Sequence, residues 1–93
     1  MEQTKKENEV RIWNTKYALT SGILLNDGEE VMPGMIEINH GNYRSYLHGE
    51  GKEWHRTQES AVIRAEEMRT KKIAQIKRKI AKLEAMTFKD TPS

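Results

Sequence analysis

The sequence predicts an α+β fold: a small antiparallel meander of three to four strands followed by one long C-terminal amphipathic helix. Three observations carry this reading. Before residue 57, short segments containing Trp, Tyr, Val, Ile and Thr alternate with turn sequences, as on a half-buried sheet. From Gln58 to Met86 there is neither Gly nor Pro, the two residues most unfavourable inside a helix. Within that stretch the apolar residues recur at three- and four-residue spacing, which aligns them on one helical face. With 93 residues the chain has room for a single domain.

Residues 1–9 are mostly polar or charged and read as a frayed terminus. The meander is expected over residues 10–56. Val10 to Ala18 alternates as a first strand, and Leu19 to Leu25 forms a second apolar segment ending at Asn26-Asp27-Gly28. Asp-Gly is a strong hairpin signal, because Gly adopts positive φ freely and Asp tolerates it. A third strand follows around Val31 to Ile38, interrupted by Pro33-Gly34. Proline cannot donate to a sheet ladder, so this stretch is an edge, a bulge, or a strand that starts at Met35. His40-Gly41-Asn42 is the next turn, and Tyr43 to Leu47 the fourth strand. Tyr43, Ser45 and Leu47 share one face of it, with Arg44 and Tyr46 on the other. Gly49-Glu50-Gly51 opens a flexible loop.

Thr57 is the expected helix N-cap, with Glu59 adding negative charge in the first turn. The helix is expected over residues 57–87 and a short tail over 88–93. From Gln58 to Met86 it would run about 43 Å. Ala61, Val62, Ala65, Met68, Ile73, Ile76, Ile80, Leu83 and Met86 fall in one broad stripe, interrupted by Arg69 and Lys72. Ile73, Ile76, Ile80 and Leu83 follow the 3-4-3 spacing of a coiled-coil seam. Strands of about 17–20 Å cannot cover so long a helix. Val62, Ala65 and Met68 are therefore expected on the sheet, and the Ile73-to-Leu83 half beyond it, paired with a second copy or another protein.

Composition narrows the function. Apolar residues make up only 35% of the chain and charged residues 32%. So thin a core often needs a second chain to complete it, and a homodimer through the C-terminal helix is expected. The absence of cysteine excludes disulfides, zinc-thiolate sites and thiol catalysis. The charged N-terminus is unlike a signal peptide, and Ile23-Leu24-Leu25 is the longest aliphatic run, so a cytoplasmic protein with no membrane span is expected. The net charge of +2 is uneven: residues 1–57 carry −2 and residues 58–93 carry +4. Arg69 to Lys82 holds seven basic residues and no acidic one.

No catalytic constellation stands out, and no metal or cofactor is expected. His48 and His55 bracket a Gly-rich turn at a separation that is not a zinc spacing; with His40 they read as loop-surface residues. Gly49-Glu50-Gly51-Lys52 lacks the spacing and the Ser/Thr of a phosphate loop. The basic helix is the better signal. Arg64, Lys71, Arg78 and Lys82 form one ridge opposite the apolar stripe, which is either a track for phosphates or an ordinary solvated face. Tyr43, Arg44, Tyr46 and His48 are the expected partner anchors outside the helix, because aromatic and arginine side chains dominate interface energetics. Trp54 could join them or pack as core beneath the helix.

Three strings, Thr15-Lys-Tyr-Ala-Leu-Thr-Ser-Gly-Ile23, Trp54-His-Arg-Thr-Gln-Glu59 and Arg64-Ala-Glu-Glu-Met-Arg69, lead into the Lys/Ile helix that runs to Phe88. Together they resemble small uncharacterised proteins carried by bacteriophages and prophages, over roughly residues 10–88. The resemblance carries no functional residue across. It implies a non-enzymatic binding protein in a bacterial host cell that blocks or modulates a host protein or ribonucleoprotein, including anti-phage defence components such as CRISPR effectors. A nucleic-acid-binding accessory protein is the alternative, and sequestration of a small signalling nucleotide the third.

Overall fold

The computed structural model describes residues 9–88. The strands β1 (Glu9–Asn14), β2 (Leu24–Met32), β3 (Met35–Asn39), β4 (Arg44–His48) and β5 (Trp54–His55) form one antiparallel sheet, in the order β4-β3-β2-β1-β5. A single turn, α1 (Ala18–Ser21), separates β1 from β2, and the long helix α2 (Gln58–Ala85) follows β5. The architecture is thus the expected α+β arrangement of a meander and one C-terminal helix, with a fifth strand added. Among the described residues no helix is long and apolar enough to cross a membrane.

The sheet is curled so that its two edge strands approach each other. Trp54 on β5 donates its indole N–H to the Gly34 carbonyl at the β2–β3 turn (2.9 Å), and the Gly49 N–H donates to the same oxygen (2.8 Å). The concave side holds the core: Ile12, Ile36, Ile38, Leu47 and Trp54, with Val10 packed alongside. Each such side chain stabilises the fold by about 1.5–3 kcal/mol on burial. Period-two alternation supplies these residues from β1, β3 and β4.

The structure moves the first hairpin turn. Asn26-Asp27-Gly28 lies inside β2, opposite Ile12, Arg11 and Val10, and Gly28 does not have positive φ. A Cβ there would stand 2.5 Å from Ile36 Cγ2 and 2.8 Å from the Glu37 carbonyl. Glycine is therefore needed for close approach at the bend of the sheet, not for a turn. Asp27 is held in the strand by Arg11 (3.0 Å). The Leu19-to-Leu25 segment is likewise divided, into α1, a connection and the start of β2. The hairpin instead turns at Pro33-Gly34, where Gly34 takes φ 80° and donates its N–H to the Glu30 carboxylate (2.9 Å); β3 starts at Met35, one of the three arrangements expected. The Gly34 N–H and the Arg56 guanidinium hold Glu30 below the usual carboxylate range.

Helix α2 begins as expected, with the Thr57 hydroxyl accepting the Ser60 N–H (3.2 Å). Its seating on the sheet differs. Because Trp54 and the curl already close the core, α2 contributes only Ala61 to the buried set. Its first turns lie against α1, β5 and β1 through Ala61, Arg64, Ala65 and Met68, while Val62, expected on the sheet, is exposed. Of the terminus expected to be frayed, Glu9 instead opens β1 opposite Glu29; residues 1–8 and most of the tail expected after the helix lie outside the described residues.

Candidate functional site

Two surfaces collect the residues singled out from the sequence. The first is a groove of about 260 Å³ at one end of the sheet's concave side, bordered by Asn14, Tyr17, Asn26, His40, Tyr43 and Ser45. Its floor is built by amides. Asn14, nearly buried, donates to Asn26 Oδ1 (3.0 Å) and accepts the Lys16 N–H (2.9 Å). Its rim is aromatic. His40 and Tyr43 flank the β3–β4 turn and stack with ring centroids 4.4 Å apart, and the His40 Nε2 bonds Ser45 Oγ (2.7 Å). Lys16 Nζ lies 5.6 Å from the Tyr17 ring centroid on the opposite side.

The expected anchors of the fourth strand divide here. Tyr43 lies just outside β4 and is engaged with His40. Tyr46 donates its hydroxyl to Glu37 Oε2 (3.1 Å), and Arg44 Nε stands 3.9 Å from Glu37 Oε1. The Glu37 carboxylate, by accepting that hydroxyl proton, raises the Tyr46 pKa. All three side chains remain exposed on the β4 edge. His48 is exposed as well, its backbone N–H bound to Glu53 Oε1 (2.7 Å).

His55 is the exception among the histidines. It is buried, with Nε2 3.0 Å from Thr15 Oγ1 and Nδ1 2.7 Å from Ser60 Oγ. Thr15 Oγ1 itself donates to the Lys52 carbonyl (2.7 Å), so it accepts from His55. The proton therefore sits on Nε2, and Nδ1 accepts the Ser60 hydroxyl. Burial lowers the His55 pKa, keeping the ring neutral. Its role is to tie β1, the Gly49–Glu53 loop and the root of α2 together. Trp54 is buried core, as one of its two readings had it, with the Arg56 guanidinium 4.9 Å from its ring centroid. Among the described residues, no three of His, Asp and Glu gather to hold a metal ion.

The second surface is α2 beyond Met68. Every residue from Arg69 to Phe88 is exposed, so the helix projects from the head for about five turns. Ile73, Ile76, Ile80 and Leu83 are 45, 44, 48 and 67% exposed. Lys71, Arg78 and Lys82 continue the expected basic ridge into solvent, but Arg64 does not. It is partly covered at the head, its Nε has no hydrogen-bond partner, and one Nη lies 3.8 Å from Glu67. No signal in the sequence separated Arg64 from the ridge, since it shares the spacing of the others. Nor does periodicity reveal the His40–Tyr43 stack, which the turn between β3 and β4 creates. The chain matches no family model, no curated protein and no solved structure.

Proposed function

We propose that this is a non-enzymatic binding protein that docks its projecting helix, together with the exposed Tyr43–Tyr46 edge of the sheet, on a host macromolecule. The observation that carries the reading is the run from Arg69 to Phe88, exposed at every residue yet bearing an apolar seam. In proteins most helical stability comes from packing an amphipathic face rather than from propensity, and a seam of branched side chains left in solvent marks an interaction surface. The resemblance to phage and prophage proteins supports a bacterial host component as the target, an anti-phage defence component such as a CRISPR effector being the specific case. Covalent capture from a bacterial lysate should yield a partner that is lost when Ile76 and Ile80 are both replaced by Asp, while circular dichroism shows an intact head. Retention of that partner by the double variant would overturn the proposal. In a host with an active CRISPR system, expression should raise the plating efficiency of a targeted phage, and the same variant should not.

The ridge of Lys71, Arg78 and Lys82 favours a second reading, an accessory protein bound to nucleic acid. With three free phosphate contacts, log affinity for duplex DNA should fall with log salt at a slope of about −3. A homodimer through Ile73, Ile76, Ile80 and Leu83 is the remaining arrangement that would cover the seam, and sedimentation velocity reads it directly.

A further inference from the structure

The seam of α2 is flanked almost entirely by positive charge. In the heptad set by Ile73, Ile76, Ile80 and Leu83, Ile73 and Ile80 occupy a, and Ile76 and Leu83 occupy d. The flanking g positions are then Lys72 and Lys79, and the e positions Lys77 and Glu84. All are exposed on a helix that is continuous from Gln58 to Ala85. The ion pairs along α2 join Arg64 to Glu67 and Arg69 to Glu66, N-terminal to the seam. Among the described residues, Lys72, Lys77 and Lys79 have no acidic partner.

We propose that Ile73, Ile76, Ile80 and Leu83 are one half of a two-stranded coiled coil whose other strand is an acidic amphipathic helix of a different protein. This rests on the docking reading above and assigns the chemistry of what docks. Flanking e and g charges set partner choice in coiled coils, and together with the charges in the seam they disfavour a second copy of this chain in either orientation. In a parallel pair, Lys72 would meet the partner copy's e-position lysine while Lys79 would meet its e-position glutamate, so the flanks cancel, and Glu66 and Arg69, at a and d, would each meet their own kind in the seam. In an antiparallel pair, g-position lysines would face one another, as would the e-position lysines. A strand with Glu or Asp at e and g answers all three lysines. Ile at a with Leu83 at d also suits two strands, although Ile76 at d departs from that preference. The stripe between Lys72 and Lys79 on one side and Lys77 on the other is narrow. That width fits one facing helix better than the broad apolar face an interfacial membrane helix presents.

The test uses the full chain and two labelled four-heptad peptides with Leu at a and d, one carrying Glu and the other Lys at e and g, read by fluorescence anisotropy. The Glu peptide should bind at least about tenfold tighter than the Lys peptide. Replacing Ile76 and Ile80 with Asp should abolish binding, and Lys72→Glu, Lys77→Glu and Lys79→Glu together should reverse the preference. Equal affinity for both peptides, or no reversal, overturns the proposal. A sedimenting dimer that excludes the Glu peptide assigns the seam to a second copy, and also overturns it. So does duplex DNA binding that the lysine variant loses while the Glu peptide goes unbound. If the Glu peptide fails but the Ile76/Ile80 variant still loses its cellular partner, only the acidic-helix assignment falls. If that variant keeps the partner, the docking reading falls.

Discussion

Two single residues hold more of this small head than their size suggests. His55 is buried as a neutral ring between Thr15 and Ser60, and its pKa is lowered by that burial. The unfolded chain therefore binds a proton at a higher pH than the folded one. The stability gained from the neutral ring is present above the ordinary His value of about 6.5 and is lost as pH falls below it. Urea midpoints should thus drop between pH 8 and pH 5, and most of that drop should vanish in His55→Gln; equal pH dependence in both proteins would remove His55 as its source. At Gly28 the cost of a side chain is steric rather than conformational, because φ is not positive there. Gly28→Ala should destabilise by about 1–3 kcal/mol through overpacking against Ile36 and the Glu37 carbonyl, measurable as a lower denaturation midpoint with the slope unchanged.

At the scale of elements, α2 behaves as two helices in one. Its root, through Met68, is capped by Thr57 and seated on α1 and the β1–β5 edge; from Arg69 on, every described residue is exposed. Truncation after Lys71 should leave the melting temperature of the head nearly unchanged, and amide exchange should show weak protection from Lys72 to Met86 against strong protection in β1 to β4. Strong protection throughout α2 in the isolated protein would mean that the seam is already covered. The helix was legible in the sequence because Thr57, the absence of Gly and Pro, and the Ile spacing all agree. So was β4, from its alternation and the turn before it. The place of the first hairpin was not, since Asp27-Gly28 carries a turn signature while the bend of the sheet needs glycine for space. β5 was not either: two residues have no periodicity, and Trp54-His55 is a strand only because β1 offers an open edge. Which face of α2 meets the head was hidden for a related reason, since the curl of the sheet removed the apolar surface that Val62 was expected to cover.

For the whole molecule, the decisive circumstance is that the head closes its own core and the groove, the β4 edge and the distal seam are all left to the surroundings. The anchors sit at different places: His40 and Tyr43 by the groove, Arg44 and Tyr46 on Glu37, and the isoleucines beyond the head. Alanine at Tyr43 and Tyr46 together should therefore weaken capture of the cellular partner without altering the affinity of α2 for an acidic peptide; equal losses in both assays would show the two surfaces to be one. The short polar bridge from His55 to Ser60 has a larger consequence. It fixes the root of α2 to the sheet, and from Ser60 to Leu83 the helix then measures about 35 Å. Such a shaft is a ruler. A target that engages both ends receives the second contact at an effective concentration set by that length. One extra heptad inserted after Thr70 would add about 10 Å, and should leave each end's separate affinity intact while abolishing the gain from holding both.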